Sequence, residues 1–278
     1  MDDEERIVLG SQTAKSGFDN ENFIINIFND WEKNKIAQKL LDEMSFRIDE
    51  LKEVKAEKAP GRQKSDMILK ITIKDKSDKI LKANISIKKY GYTIENGKKS
   101  KFNYNQIDKR TIDKAKEKWN MPDEVADELR KFTSEEGFTA TDLLKEGKIS
   151  KQKYYSLKDK RRIMLNEMSS EIQKKIIDFF KNNKNKIVTE VMKGEGEYAA
   201  DWMLVDEVEL DKNKKVKKIS KITIKSIEES IKIFSKGKVG LTRDGNLKIG
   251  KITLQRKGGT PDPTKLQFKI SPGDIFQE

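Results

Sequence analysis

The sequence predicts a mixed α/β protein in which an N-terminal helix packs on a largely antiparallel sheet. Two observations predict it: apolar residues near the N-terminus recur every three to four positions, and later segments alternate apolar and polar residues as strands do. No repeat, Gly/Ser linker or proline-rich hinge divides the 278 residues, so we expect one domain over 1–278.

The first predicted elements are a helix and a β-hairpin. Helical spacing extends from Phe18 to about Lys55. The break APGRQKSD leads into a strand, Met67 to Lys74, which the polar turn DKSDK joins to a second strand, Ala83 to Lys88. The apolar positions of the helix are Ile24, Ile27, Phe28, Trp31, Ile36, Leu40, Leu41 and Met44.

The rest of the chain reads as helices followed by strands. The segment from about Thr111 to Asn182 is mainly helical, with breaks at NMPDE, near Gly137 and at LKDKRR. Strands are then expected within a C-terminal region of about 186–278. They are Lys186 to Met192, Trp202 to Val208, Ile219 to Ile224 and Leu247 to Leu254.

The absence of histidine and cysteine narrows the chemistry before any motif is considered. It excludes disulfides, thiol nucleophiles, zinc sites built on those residues and histidine general bases. Catalysis must therefore use carboxylates, lysine, hydroxyls or a metal held by oxygen atoms.

The charge favours a polyanionic partner. Lysine and arginine number 59 against 47 acidic residues, a net charge of +12. The alternative is a lysine-rich composition without function, which runs such as KNNKNKIVTE also fit. Apolar stretches such as FIINIF are too short to span a bilayer, and MDDEER is unlike a signal peptide, so we expect a soluble cytoplasmic protein.

The predicted hairpin carries candidate catalytic residues. Asp66 stands where the first strand begins, and Ser86 and Lys88 are two apart on the second, so they share a face opposite Ile85 and Ile87. A carboxylate that holds Mg²⁺ beside a lysine that orients water is typical of a phosphodiester hydrolase. The spacing alone also arises by chance in a chain rich in lysine and aspartate.

Glu21 is a further acidic candidate. It precedes Ile24 by three residues and Phe28 by seven, which places it on the apolar stripe of the helix, where a carboxylate needs a partner or a metal. The alternative is that Glu21 lies in the first turn and complements the helix dipole.

Two segments have the composition of nucleic-acid contacts. FNYNQIDKR, from Phe102 to Arg110, mixes aromatics, amides and cations. QRKGG, from Gln255 to Gly259, is expected to be an exposed loop in which Arg256 suits guanine. Each segment alone is also compatible with a solvated turn.

Taken in order, these segments resemble the HinP-type restriction endonucleases, an MspI-related group of the PD-(D/E)XK nuclease superfamily. The resemblance covers about Leu9 to Phe276. It is carried by GSQTAKSGFDNE, KSD, ISIK, NQIDK, KDKRR, GEGEYAADWMLV, ITLQRKGG and LQFKISP.

The resemblance implies the fold and the reaction. It implies a PD-(D/E)XK core and a type II restriction endonuclease that cuts double-stranded DNA at a short G/C-rich palindrome, of the GCGC or CCGG kind. It implies dependence on Mg²⁺, with Mn²⁺ as a substitute, and 5′-phosphate ends. The implied partners are a cognate DNA methyltransferase and either a second copy or a second subunit, without a membrane.

The resemblance also assigns residues. In the catalytic hairpin, about 64–90, Asp66 matches the metal-binding aspartate and Lys88 the catalytic lysine, while Glu21 matches the acidic residue of the first helix. The Ile87 carbonyl joins Asp66 as a metal ligand, and Ser86 becomes a hydrogen-bonding neighbour. The residues assigned to DNA are Lys64, Tyr104, Asn105, Gln106, Lys109, Gln255, Arg256 and Lys257, with Tyr104, or alternatively Phe102, as a wedge between bases.

The chain departs from the family pattern in three places. Ser86 replaces the usual Glu or Gln, so it supplies no second negative charge. Residues 89–103 are expanded, and the loop after QRKGG is shorter and contains two prolines. Ser86 keeps open the alternative of a DNA-binding protein with a decayed active site, and a subunit of a heteromeric endonuclease is a further alternative. The charge alone also fits a basic RNA-associated protein.

Overall fold

The computed structural model describes residues 19–61, 63–74, 79–100, 102, 104–133, 144, 147, 150–152, 163–211, 216–256 and 265–277. The chain packs as two compact units, which we treat separately. The six-stranded-sheet unit contains 19–105, 192–233 and 271–277, and the five-stranded-sheet unit contains 106–191 and 234–270. The single endonuclease domain over 1–278 stays a prediction.

The sheet of the first unit is largely antiparallel, as expected. Its strand order is β1-β2-β3-β6-β7, with β4 paired to β3. The pair β3/β6 is parallel, and the other neighbouring pairs are antiparallel. The strands are β1 (Leu51–Lys58), β2 (Met67–Ile73), β3 (Ile80–Glu95), β4 (Lys98–Ser100), β6 (Trp202–Leu210) and β7 (Val216–Ser226).

N-terminal helices cover one face of this sheet. Helix α1 comprises residues 19–29, and α2 (Lys35–Glu43) begins at Asn34, whose Oδ1 accepts from the amide of Ile36 at 3.0 Å. Their apolar stripes pack against alternate residues of β1, β2, β3 and β6, so the predicted helix-on-sheet arrangement is confirmed. The fully buried side chains of this core include Ile24, Phe28, Leu40, Leu41, Met67, Leu69, Ile71, Ile85 and Leu204.

The second unit contains a five-stranded sheet in the order β5-β11-β10-β9-β8. Its core includes Trp119, whose ring meets Phe180 and Phe268 edge to face at 6.2 and 5.7 Å. The described part of the middle segment is helical, as predicted. The strands are β5 (Asn105–Thr111), β8 (Val239–Leu241), β9 (Leu247–Ile249), β10 (Ile252–Arg256) and β11 (Lys265–Ile270). The helices are α3 (Ile112–Trp119), α4 (Asp123–Thr133) and α5 (Ser170–Asn182).

Short elements complete the two units. Helix α6 (Lys184–Lys193) lies mainly in the five-stranded-sheet unit, and its last two residues belong to the six-stranded-sheet unit. Helix α7 (Ile227–Ser235) lies mainly in the six-stranded-sheet unit. Short 3₁₀ helices occur at Ile48–Glu50, Leu165–Glu167 and Pro272–Gln277. No helix within the described ranges is both long and apolar enough to cross a membrane.

The predicted continuation of the first helix to Lys55 is wrong. Strand β1 begins at Leu51 and pairs antiparallel with β2, from Leu51 opposite Ile73 to Lys58 opposite Met67. The sequence LKEVKAEK has good helix formers, but pairing with a buried neighbouring strand outweighs that local preference.

The strand expected at Lys186 to Met192 is also wrong, because this segment lies in helix α6. Its β-branched residues suggest a strand, but the fully buried side chains follow helical spacing. These side chains are Ile187, Val188, Val191 and Met192.

The strand expected at Leu247 to Leu254 is two strands, β9 and β10, with a tight turn at Gly250. Gly250 has φ of +61°, and a Cβ there would lie 2.7 Å from the Phe234 carbonyl oxygen, so the turn requires glycine. Strand β10 continues through Gln255 and Arg256, which were expected in an exposed loop. The strands at Met67, Trp202 and Ile219 are confirmed within a few residues, and the turn over 75–78 lies outside the described residues.

Candidate active site

Asp66 is fixed by backbone hydrogen bonds just before β2. Its amide donates to the Ile85 carbonyl at 2.9 Å, and its carbonyl accepts from the amide of Ala59 at 3.1 Å. These bonds tie the residue to both flanking strands. The carboxylate is therefore held in place by the sheet rather than by a free loop.

One carboxylate oxygen of Asp66 collects three donors. Its Oδ2 accepts from the backbone amide of Ile87 at 2.7 Å, from Lys88 Nζ at 3.1 Å and from Ser86 Oγ at 3.3 Å. The side chains of Asp66 and Lys88 are 24% and 13% exposed, so both are partly accessible to solvent. The structure brings Asp66, Ser86 and Lys88 together, as the strand spacing predicts.

The Lys88 ammonium marks a cation position. Nζ also donates to the Ile87 carbonyl at 2.9 Å, so the carboxylate of Asp66 and this carbonyl converge on one positive charge. Both are hard oxygen ligands of the kind Mg²⁺ takes, and Mg²⁺ commonly keeps several waters beside one or two carboxylates. No group of three acidic side chains suited to a metal occurs among the described residues. These two oxygen atoms therefore fit a hydrated Mg²⁺, and its binding here stays a prediction.

In the family pattern that the chain resembles, Ser86 occupies the position where Glu or Gln is usual. Its side chain is buried, with 1% exposure, and its hydroxyl reaches the Asp66 carboxylate. A neutral hydroxyl there orients Asp66 but adds no negative charge. This geometry agrees with the interpretation of Ser86 as a hydrogen-bonding neighbour of the ligand.

Glu21 forms an ion pair with Lys58. On helix α1 its side chain is 18% exposed, and Oε2 lies 2.9 Å from Lys58 Nζ on β1. Helix α1 covers the sheet face that carries Ile85 and Ile87, whereas Ser86 and Lys88 point to the other face. A metal-binding role for Glu21 stays a prediction.

The segment before β6 supports the catalytic hairpin. The Tyr198 carbonyl accepts from both the amide and the hydroxyl of Ser65, at 3.2 and 3.1 Å, immediately before Asp66. Asp201 Oδ2 accepts from the amide of Asn84 at 2.9 Å, and the Asn84 side chain donates to the Glu197 carbonyl at 2.8 Å. The sequence predicted no role for Glu197, Tyr198 and Asp201, whose only signal is their place in the GEGEYAADWMLV block.

A buried polar group on the other face of the sheet was also missed. Asp206 is fully buried in β6, and Oδ1 accepts from Asn20 Nδ2 at 3.0 Å, while Oδ2 has no hydrogen-bond partner among the residues that the structure describes. Burial raises the pKa of Asp206 to about 6, against the hydrogen bond from Asn20 and the charge of Lys89. The signal in the sequence is an aspartate within the apolar strand WMLVDEVEL.

The aromatic residues proposed as wedges differ in exposure. Tyr104 is 62% exposed. Phe102 is 38% exposed and stacks on Tyr90, with ring centroids 4.8 Å apart and planes inclined by 19°. The Phe102 ring is engaged in an intramolecular stack, whereas the Tyr104 ring is exposed. A role for either ring as a wedge between bases stays a prediction.

The residues of the NQIDK segment have different environments. Asn105 donates through Nδ2 to the Lys89 carbonyl at 2.9 Å, so its amide secures the strand that carries Lys88. Gln106 and Lys109 are exposed on β5. Their contact with DNA stays a prediction.

The C-terminal DNA-binding candidates are not an exposed loop. Gln255 is half-buried on β10, whereas Arg256 retains 3% exposure and lies opposite Leu266 in the strand register. The exposure expected for Arg256 is wrong, because β10 extends to this residue and its side chain alternates with that of Gln255. Lys257 lies outside the described residues.

Lys64 packs against a glycine at the end of α6. Gly194 has φ of +72°, and a Cβ there would lie 2.7 Å from the Lys64 Cβ. Only glycine allows the stem of Lys64 to lie so close to the backbone. The lysine is thereby held two residues before Asp66.

Two comparisons with known proteins found matches to this chain. Residues 44–276 match the family model described as R.HinP1I restriction endonuclease. Among solved structures, the chain is similar to restriction endonuclease MspI in complex with its cognate DNA. That match has 14% sequence identity and a TM-score of 0.55, over 94% of this chain and 98% of MspI, and it supports the fold. A search of curated proteins found no match. The chain therefore belongs to the R.HinP1I restriction endonuclease family of type II site-specific deoxyribonucleases.

Proposed function

We propose that this chain hydrolyses double-stranded DNA at a short G/C-rich palindrome, GCGC-like, in a Mg²⁺-dependent reaction that leaves 5′-phosphate ends. The observation that carries the proposal is the convergence of Asp66 Oδ2 and the Ile87 carbonyl on the Lys88 ammonium. Two oxygen ligands and a lysine at one point of a sheet support metal-dependent hydrolysis of a phosphodiester.

Mg²⁺, or Mn²⁺ in its place, would be held by Asp66 and the Ile87 carbonyl, and it would polarise the scissile phosphate and lower the pKa of a bound water. Lys88 then releases the Ile87 carbonyl and directs its ammonium at the attacking water or at the charge that develops on phosphorus. Ser86 keeps its hydroxyl on Asp66 and fixes the carboxylate. Water attacks phosphorus in line and gives up a proton to solvent. The bond to the 3′-oxygen breaks, and that oxygen takes a proton from solvent and leaves as a 3′-hydroxyl, while the phosphate stays on the 5′ side.

The net charge of +12 supports DNA as the partner, because lysine and arginine displace counterions from phosphates. Tyr104, Gln106, Lys109 and Gln255 are the described candidates for contact with bases. Since such an enzyme would cut unprotected host DNA, we propose a cognate DNA methyltransferase, a restriction-modification system and a cytoplasmic location. A second copy or a second subunit would cut the other strand.

The test is digestion of unmethylated plasmid DNA by the purified protein, with Mg²⁺ or with EDTA, and sequencing of the fragment ends. We expect discrete fragments that require Mg²⁺, carry 5′-phosphates and share one G/C-rich palindrome. Random degradation, or binding to RNA in preference to duplex DNA, would contradict the proposal.

Ser86 favours a second candidate function. A site with a single carboxylate binds Mg²⁺ more weakly than a site with two. The chain would then be a DNA-binding protein with a decayed site, or one subunit of a heteromeric endonuclease. Sequence-selective binding without cleavage at any Mg²⁺ or Mn²⁺ concentration would favour this alternative.

A further inference from the structure

A ladder of three glutamine side chains crosses the five-stranded sheet. Gln255 on β10 lies directly opposite Gln267 on β11, and its Nε2 donates to Gln267 Oε1 at 3.2 Å. Gln267 Nε2 in turn donates to Gln106 Oε1 on β5, the next strand. The three amides therefore form one hydrogen-bonded row perpendicular to the strands.

The ladder lies on the polar side of the sheet. Gln106 is exposed, and Gln255 and Gln267 are half-buried. The neighbouring positions along β10 and β11 are buried, and all but Arg256 are apolar, which shows that the glutamines share the opposite face. These neighbours include Leu254, Leu266 and Phe268.

The bonds within the ladder leave some amide N–H groups and oxygen lone pairs of the three glutamines available to a ligand. Each amide has two N–H donors and an oxygen with two lone pairs. Within the ladder Gln267 uses one N–H and one lone pair, so one of each remains, while Gln106 keeps both of its N–H groups. Donors and acceptors placed side by side match the major-groove edge of a base pair, which carries both kinds of group. In the G·C pairs of the proposed target, guanine offers acceptors and cytosine offers a donor.

A merely structural role explains the ladder poorly. Cross-strand pairs between polar side chains on an open face stabilise a sheet only modestly. The amide of Gln267 is also the one group that contacts both neighbours, so it sets which way each of them presents its oxygen and its nitrogen.

We propose that Gln267 is a specificity-determining residue, which orients Gln106 and Gln255 toward base edges and reads one base itself. This inference rests on the proposed function, since it assumes that duplex DNA lies against this face. The ligand chemistry is the major-groove edge of a G·C base pair, and Gln267 takes no part in hydrolysis.

The test compares Gln267→Met, which keeps the length of the side chain and removes the amide, with Gln267→Glu, which keeps an acceptor for Gln255 and loses the donor to Gln106. Gln173→Met is the matched control, because Gln173 lies in the same unit and its amide donates only to main-chain carbonyls of Asn166 and Met168. Thermal unfolding of each variant shows whether the fold is intact.

The readout is discrimination between the target duplex and duplexes with one base pair changed, measured by kcat/KM for cleavage and, in EDTA, by Kd. We expect Gln267→Met to lower this discrimination about tenfold or more at one or two base positions. We expect Gln267→Glu to lower it at the position that Gln106 contacts, while Gln173→Met retains it.

Unchanged discrimination in both Gln267 variants would overturn the inference. If the wild-type protein binds selectively but does not cleave, the proposed function fails, and the Kd comparison still decides the role of Gln267. Non-selective binding by the wild-type protein would overturn both.

Discussion

Lys88 donates a hydrogen bond of 3.1 Å to the carboxylate of Asp66 from the strand next to it. Both side chains lie on the sheet face opposite Ile85 and Ile87, and the same ammonium is bonded to the Ile87 carbonyl. Under the proposed function, Asp66 and the Ile87 carbonyl would hold a metal, and Lys88 would direct its ammonium at the reacting phosphate. The pair therefore links the fold directly to the proposed chemistry.

Adjacent lysines on β3 provide an internal comparison. Lys88→Met should slow cleavage by about 10²–10³-fold, since it removes a preorganised positive charge from the reaction centre. Lys89→Met should leave the rate close to that of the wild type, because Lys89 points to the opposite face, where burial lowers its pKa against the charges of Asp206 and Asp19. Single-turnover cleavage of a short duplex measures both. An equal loss of rate in the two variants would contradict the assignment of Lys88.

Tyr104 and Phe102 should respond differently to truncation. Tyr104→Ala should slow cleavage without lowering the melting temperature, because its ring is exposed and is proposed to unstack a base step. Phe102→Ala should lower the free energy of unfolding, because the variant buries less apolar surface. The loss of the stacking contact with Tyr90 should lower it by about 0.5–1.5 kcal/mol more. Fluorescence of 2-aminopurine in the target reports unstacking. A signal that survives Tyr104→Ala and disappears with Phe102→Ala would exchange the two roles.

Arg256 tests whether a nearly buried cation can read a base. Arg256→Met retains an apolar stem of similar length and removes the guanidinium. If Arg256 contacts guanine, the variant loses about 1–3 kcal/mol of discrimination at one position with an unchanged melting temperature. Cleavage of duplexes with single base changes, beside a thermal melt, measures both quantities. A lower melting temperature with full discrimination would assign Arg256 to the core instead.

Asp206 should make stability depend on pH. Its pKa is raised from 3.8 in the unfolded chain to about 6 in the folded protein, because burial disfavours the charged carboxylate. The contribution of neutral Asp206 to the free energy of unfolding is therefore complete below pH 3.8 and is lost as the pH rises through 6. Asp206→Asn removes this cost, and the new amide oxygen still accepts from Asn20. The variant should gain stability over the wild type as the pH rises from 4 to 7, to at most roughly 3 kcal/mol. Denaturant unfolding at several pH values gives the difference, and a difference that does not vary with pH would contradict the role of Asp206.

The catalytic hairpin could be predicted because its information is local. In β2 and β3 the apolar residues alternate, and period two places Ser86 and Lys88 on one face whatever the rest of the chain does. Asp66 stands where the first of these strands begins, and the resemblance to known nucleases then assigned it the metal-binding role. The distance between Asp66 and Lys88 depends on pairing of the two strands, which the sequence shows only through the short turn between them.

The features that escaped prediction depend on contacts distant in sequence. The support of Ser65 by the Tyr198 carbonyl joins residues 133 positions apart, and the bond from Asn20 to Asp206 joins residues 186 apart. No local pattern encodes such pairs. The error at β1 has the same origin, since its residues favour a helix until β2 pairs with them, and the burial of Arg256 follows from the extension of β10 opposite β11.

The most direct test of the catalytic site is a comparison of wild-type protein with Asp66→Asn, an exchange that keeps the size of the side chain and removes its charge. Cleavage of the target duplex in Mg²⁺ and binding in Ca²⁺ are measured on the same preparations. We expect Asp66→Asn to lose at least about 10³-fold in cleavage rate and to bind DNA as tightly as the wild type, or more tightly, because a negative charge near the phosphate is gone. Cleavage at the wild-type rate by Asp66→Asn, or loss of binding together with cleavage in a folded variant, would contradict the account of this site.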